Sequence, residues 1–430
     1  MKRIVLTLLA VLAVLYAIAQ TWKKNERAAG LDFYIYFVAG QLAGRADVDN
    51  IYSPEVQERI GEEYYERAQR SASDLRRYDA QRRRRLDNVS SPFLYTTLRW
   101  VSRDYDRALK QDHLLVLAAF AAAVLLIARR VRLSWAAALF LLAGLLLYYR
   151  GFEADLRVGN VNSLQLFMLA LALWSPPVLA GAILAMLLCF KPNLILVALL
   201  LALAHDRRRL RLELLGGIGG ALVAILAGAV SYGSWRVWIQ WIAAANQFWH
   251  RIPTRMERNV TPALSLFHEY GAWPSYAIAA VLFAIAAWAI RAPSLRAAGR
   301  GGSAATGEGT RQEQGTNTDP LPTEMNPRRG EGTDANVLIA GVGILIYLMS
   351  ATVVWLHYMV LVVPVAIALM RWRVTAIVAL IALAMIAEVP FEMLMKTPAA
   401  PVEAMLITPA LVALFACAVW TISHRDPATA

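Results

Sequence analysis

Asp32 stands in the run Leu31-Asp32-Phe33-Tyr34-Ile35-Tyr36-Phe37-Val38-Ala39-Gly40, just beyond an apolar stretch at about residues 4–21. A carboxylate at the mouth of an otherwise apolar chain is costly unless it has a function. The Asp-aromatic-aromatic-x-Tyr pattern suggests that the function is catalytic. The plainer reading is a helix cap, because Asp is a favoured N-cap residue and a helix could begin at Phe33. Lys191 precedes Pro192 at the end of an apolar run. A lysine beside a broken helix can bind an anion, and it can equally snorkel to the interface from a helix end. His357 lies between Trp355 and Tyr358 at the start of a further apolar run. There an imidazole can take part in proton chemistry or simply hydrogen-bond at the interface. Asn160 and Asn162, in Gly159-Asn160-Val161-Asn162, are candidate ligand-binding amides or backbone partners at a helix start. Arg150 and Arg157 are candidate anion-binding cations or partners of Glu153 and Asp155.

Several chemistries have no signature. There is no HExxH, no His pair at i and i+4 and no cysteine cluster, so no metal site is expected. There is no Walker loop and no GxGxxG in a strand context, so soluble nucleotide chemistry and a bound cofactor are not expected. The two cysteines, Cys189 and Cys417, both lie inside apolar runs, where they suit small-residue packing. Basic residues are spread over short loops between apolar runs, which argues against nucleic acid as a partner.

The elements that must position these residues are membrane helices. The 430 residues are 58% hydrophobic, with a mean hydropathy of +0.46. That excess over an ordinary soluble domain predicts an all-α, multi-pass integral membrane protein. Apolar runs at about 4–21, 112–129, 133–149, 161–175, 177–191, 193–205, 213–231, 274–291, 336–354, 357–371, 373–390 and 403–422 give about 12 spans. With the N-terminus inside, short inside loops carry Arg129-Arg130-Val131-Arg132, Arg207-Arg208-Arg209 with Arg211, and Arg371-Trp372-Arg373. This distribution fits the positive-inside rule within a formal net charge of +12.

The unusual polar residues then fall together on the non-cytoplasmic face. The first outer loop, 23–111, reads as partly helical, with Pro54-Glu55 opening one segment and Asp104-Tyr105-Asp106 leading towards the second span. Its Arg82-Arg83-Arg84-Arg85 run reads most simply as a solvated helix face. The stretch from Trp235 to Tyr270 reads as an outer loop. Residues 297–334 have too few apolar residues to fold and read as a disordered cytoplasmic linker between membrane parts 1–296 and 335–430.

The order Asp32-Phe33-Tyr34-Ile35-Tyr36, Ile51-Tyr52-Ser53-Pro54, Pro92-Phe93-Leu94-Tyr95, Gly159-Asn160-Val161-Asn162, Lys191-Pro192 and His357 resembles glycosyltransferase family 87. The resemblance runs from residue 31 to about 372. It departs from the family pattern at Thr96-Thr97, where two prolines are usual, at Gly159-Asn160 in place of Gly-Gln, and at the linker. The resemblance implies a GT-C type helix bundle in the cytoplasmic membrane of a bacterium. It implies transfer of a hexose, typically mannose, from a polyprenyl phosphate to a lipid or glycan acceptor. Asp32 maps to the general base, and Lys191, His357, Arg150 and Arg157 become candidates for binding the donor phosphate. Tyr36, Tyr95, Asn160, Asn162 and Tyr358 become candidates for substrate contact. Two other classes compete: a transporter or flippase of lipid-linked saccharides, and a GT-C-like oligosaccharide ligase or polymerase. Broken helices would suit the transporter, but the charges gather at one face and not at the midplane, which favours an enzyme.

Overall fold

A computed structural model describes residues 2–251, 261–267, 270, 272–301, 331–387 and 402–424. Among these residues all regular structure is helical, apart from a single β-bridge between Tyr149 and Ala387. Helix starts follow their capping residues. Ser53, Ser73, Ser91, Asp104, Ser134 and Asp206 each accept a hydrogen bond from a backbone N–H of the first turn that follows. Each cap satisfies one of the amides that a helix start leaves unpaired. Pro54, Pro92 and Pro177 occupy first-turn positions, where a missing N–H costs nothing.

The N-terminal part runs α1 (Lys2–Asn25), α2 (Leu31–Gln41), α3 (Pro54–Gln69), α4 (Asp74–Arg82) and α5 (Pro92–Thr97). The next helices are α6 (Tyr105–Arg130), α7 (Trp135–Tyr148), α8 (Arg150–Val158), α9 (Asn162–Trp174) and α10 (Pro177–Phe190). A short 3-10 turn, Pro192–Leu194, leads into α11 (Ile195–Ala204), followed by α12 (Arg207–Ser231), α13 (Arg236–Arg251) and α14 (Pro262–Phe267). The C-terminal part contains α15 (Trp273–Gly301), α16 (Glu331–Ser350), a 3-10 segment Leu356–Val362, α17 (Val363–Leu369), α18 (Arg373–Met385) and α19 (Val402–Ser423).

Each of the twelve apolar runs contains helix, but about 12 full crossings are not confirmed. Among the described residues, five helices are long and apolar enough to cross a membrane: Arg3–Asn25, Tyr105–Arg130, Arg207–Ser231, Trp273–Ala292 and Leu406–Ser423. Helices α8 and α9, bent by 115° at their junction, make a sixth if counted as one span. The other apolar helices are shorter than a perpendicular crossing needs. The protein is an integral membrane protein. The stretch from Trp235 to Tyr270 is largely not a loop: α13 runs across the end of α12, with Trp238 donating to Ile225 O (3.0 Å) and Trp241 to Val89 O (3.0 Å). Its core-facing Val237, Trp238, Trp241 and Ala244 recur three and four residues apart, a helical pattern. The expected linker lies mostly outside the described residues; α15 extends to Gly301 and α16 begins at Glu331.

Two cores of different composition result. Aliphatic side chains from α6–α9, α11 and α16–α19 fill the membrane bundle. Aromatic side chains of the N-terminal region fill a cap above it, with Phe33, Tyr34, Tyr52, Tyr95 and Tyr105 buried. Tyr105 receives Tyr34 and Phe37 edge-on at 5.4 and 5.3 Å between ring centroids. Such pairs contribute about 0.5–1.5 kcal/mol each beyond the area they bury. In the bundle, α10 and α12 pack backbone to backbone. A Cβ at Gly181, Gly216 or Gly220 would lie 1.9, 1.8 or 2.2 Å from a backbone oxygen of the facing helix, so only glycine fits there.

Helix polarity separates two ends of the bundle. α6 starts at the cap with Tyr105 and ends at Arg129 and Arg130. α12 starts at Arg207–Arg209 and ends at the cap, where Tyr232 Oη donates to Ala39 O (3.0 Å). The arginine-rich turns of both helices thus stand at the end opposite Asp32.

Candidate active site

The site begins with the junction of α8 and α9. Gly159 closes α8 in the left-handed conformation (φ 63°), which a β-carbon would strain. A Cβ there would also come within 2.5 Å of Phe33 Cβ. The glycine therefore allows both the 115° bend and the close approach of the bend to α2. That approach delivers Asn160 to Asp32.

Asp32 lies in the first turn of α2, whose N-cap position is Gly30, and it makes no capping bond. The capping alternative is thus excluded. Its two oxygens are held by side chains from distant parts of the chain: Oδ1 accepts from Arg83 Nη2 (2.9 Å) and Oδ2 from Asn160 Nδ2 (2.8 Å). Arg83, at the C-cap of α4, also donates from Nε to Leu31 O (3.1 Å). Asp79 of the same helix is buried and accepts from the Gly30 N–H (3.2 Å) and from Tyr105 Oη (2.5 Å). Burial pushes the Asp79 carboxyl up to about 6, against the pull of those two donors. Helix α4 therefore grips the start of α2 at two points, and Asp32 is fixed by packing of the cap.

Asn160 connects Asp32 to Lys191. Its amide nitrogen serves Asp32, while Oδ1 accepts from Lys191 Nζ (3.3 Å) and from the Val161 N–H (2.7 Å). Lys191 stands in extended backbone between α10 and the turn opened by Pro192. Its ammonium also donates to Asn162 Oδ1 (2.9 Å) and lies 4.4 Å from the centroid of the Tyr358 ring. This lysine is half-buried and turned inward; it does not snorkel. Its three N–H groups are met by two amide oxygens and one aromatic face.

Asn162 repeats the arrangement one step further in. Its Nδ2 donates to Asp155 Oδ1 (3.1 Å) and to His357 O (3.3 Å). Asp155 Oδ2 accepts from the N–H and the hydroxyl of Ser163 (2.9 and 2.6 Å). A continuous chain therefore runs Asp32, Asn160, Lys191, Asn162, Asp155. His357 stacks on Tyr358 (4.8 Å), and its Nε2 is 3.3 Å from Asn160 Nδ2. With that amide as donor, Nε2 is an acceptor, which assigns the neutral imidazole with its proton on Nδ1.

The structure thus brings together Asp32, Asn160, Asn162, Lys191, His357 and Tyr358. Tyr36, one turn after Asp32, is buried on the same face of α2. Tyr95 lies behind it, 6.3 Å away, with its hydroxyl accepting from the Ser90 N–H (3.2 Å). Arg150 and Arg157 do not join this network. They bracket Glu153 (2.5 and 4.0 Å), which also pairs with Lys24 (3.1 Å). The expected pairing of these arginines therefore holds for Glu153 and not for Asp155.

Sequence reading missed three members. Arg83 is turned inward while Arg82, Arg84 and Arg85 are exposed, so the run is not a uniform solvated face. Asp155 is a hub of the network and not an arginine's partner. Asp112, buried at the bend, would lie 3.1 Å from a Cβ at Gly159, and neither of its oxygens has a hydrogen-bond partner among the described residues. Spacing alone could have flagged Asp155, which is 200° around the helix from Glu153. Nothing in the sequence distinguishes Arg83 from its neighbours. Among the described residues no group of three or more His, Cys, Asp or Glu side chains could hold a metal ion.

Fold and site together define a polytopic helical membrane protein with one polar network at the end opposite its arginine-rich turns. Residues 95–306, just under half of the chain, match the family model of glycosyltransferase family 87, which supports the resemblance carried by the sequence motifs. No match was found among curated proteins or among solved structures. The matched segment contains Asn160, Asn162, Asp155 and Lys191, and the geometry adds Asp32, Arg83 and His357 to them. The match and the apolar helices support a membrane-embedded glycosyltransferase.

Proposed function

We propose that this protein transfers a hexose, with mannose the first choice, from a polyprenyl phosphate to a hydroxyl of a lipid or glycan acceptor. Asp32 is the general base. It takes the proton of the acceptor hydroxyl as that oxygen bonds to the anomeric carbon, and the bond from that carbon to the donor phosphate breaks with its electron pair. A single displacement of this kind inverts the anomeric centre. The departing lipid phosphate gains negative charge, which Lys191 stabilises at fixed distance from the base. His357, neutral in this geometry, orients Asn160 and offers Nδ1–H; Tyr36 and Tyr358 border the same space. In this reading the reaction takes place on the non-cytoplasmic side, and the positive-inside rule applied to the arginine-rich turns at the opposite end of the bundle supports it.

The observation that carries this reading is the shared amide of Asn160. A carboxylate and an ammonium are held one amide length apart, Asp32 by Nδ2 and Lys191 by Oδ1. Base and leaving-group cation on either side of an anomeric carbon need such a fixed separation. The test is purified protein in lipid nanodiscs with a panel of polyprenyl-phosphate sugars, following donor loss. Polyprenyl-phosphate mannose should be consumed, and Asp32→Asn should cut that rate about 10²–10⁴-fold with the donor still bound. Near-normal turnover by Asp32→Asn removes the base from this mechanism.

A further inference from the structure

Helix α8 carries a second polar cluster on its other face, independent of the transferase chemistry. Arg150, Glu153 and Arg157 are spaced three and four residues apart and share one stripe. That stripe faces the end of α1, where Lys24 meets Glu153 at 3.1 Å. Between α1 and the α7–α8 junction lies a cavity of about 420 Å³. Its polar end is lined by Lys23, Lys24, Asn25 and Glu153, and its apolar end by Leu146 and Leu147. Asn25 is 2% exposed, and its Nδ2 donates to Thr21 O (2.9 Å), which fixes it as part of the cavity wall.

Charge and position narrow the ligand. Three cations, Lys24, Arg150 and Arg157, surround one carboxylate, Glu153, and Lys23 stands beside Lys24 on the cavity wall. The cluster therefore carries a formal excess of positive charge. It sits where the apolar surface of α1 ends, directly beyond Leu8, Leu12, Leu15 and Tyr16, which are all exposed on that helix. An acyl chain can follow this surface and the α7 leucines while its headgroup occupies the cavity. Cations meet a phosphate diester.

We infer that the α1–α8 cavity is a binding site for the headgroup of an anionic phospholipid. The structure gives it two lysines on the cavity wall, two arginines behind Glu153 and an adjoining lipid-facing helix.

The test uses the full chain in detergent micelles, titrated with phosphatidylglycerol or phosphatidylcholine and read by native mass spectrometry. Phosphatidylglycerol should be retained at least about fivefold better than phosphatidylcholine, a difference of about 1 kcal/mol. Lys23→Gln, at an exposed position that leaves packing intact, and the double variant Lys23→Gln/Lys24→Gln should reduce that preference stepwise. Inorganic phosphate at millimolar concentration should not displace the bound lipid. Equal retention of the two lipids by the wild-type chain overturns the inference, as does an undiminished preference in the double variant. Displacement by inorganic phosphate alone also overturns it, because the site would then recognise phosphate and not a lipid.

Discussion

Glu153 and Asp155 are two residues apart on one helix and live in different surroundings. Asp155 is fully buried, and its donors are neutral: the N–H and hydroxyl of Ser163 and the amide of Asn162. Glu153 is gripped by cations, and two of these, Lys24 and Arg157, are 44% and 55% exposed. The first carboxylate is fixed by dipoles that cannot leave, the second by flexible charges that can. A buried dipolar network specifies one geometry, which catalysis needs. A ring of mobile cations tolerates exchange of partners, as binding at a lipid boundary requires.

Four substitutions break or sharpen that contrast. Lys191→Met should have the largest effect, lowering turnover about 10²–10³-fold with donor affinity little changed. Single-turnover kinetics separate the two quantities, and normal turnover would detach the dipolar network from phosphate chemistry. Arg83→Met releases the far oxygen of Asp32 and the start of α2. Turnover should fall about 10- to 100-fold, the scale expected for a misplaced reacting group, with partial recovery in Arg83→Lys. A raised donor KM at unchanged kcat would instead make Arg83 a phosphate ligand.

The remaining pair compares the two faces of α8 directly by apparent thermal midpoint. Asp155→Asn puts an NH₂ group against donors on both sides, and should cost about 1–3 kcal/mol. Glu153→Gln keeps an acceptor for the half-exposed cations and should cost about 0–1 kcal/mol. Equal losses in the two variants would erase the distinction between the faces.

Much of this was legible in the sequence, for reasons specific to each residue. Apolar runs give helices almost regardless of context, so the helices are legible, whereas how many of them cross the membrane depends on length and packing and is not. Gly159 and Pro192 are backbone punctuation, so the breaks that present Asn160 and Lys191 could be read locally. Asp32 was singled out by its isolation among aromatic residues. Arg83 was not legible, because its selection from four consecutive arginines depends on how α4 packs across α2. Asp155 was grouped with Glu153 because chain proximity was taken for spatial proximity, which a two-residue step on a helix reverses. The helix α13 was missed because its exposed Trp235, Ile239 and Ile242 resemble interfacial loop residues until read at helical spacing.

The Asn160 amide has a consequence for timing. Hydrogen bonds on the two ends of one amide polarise each other: an ammonium on the oxygen strengthens the N–H groups as donors. In the resting arrangement Lys191 on Oδ1 therefore tightens the hold of Nδ2 on Asp32. A donor phosphate that draws Lys191 towards itself weakens that hold and leaves Asp32 freer to accept a proton. On the proposed mechanism, the base is quiet while the donor site is vacant and becomes competent when it fills. One side chain then acts as an interlock between two substrates that never touch it at the same end.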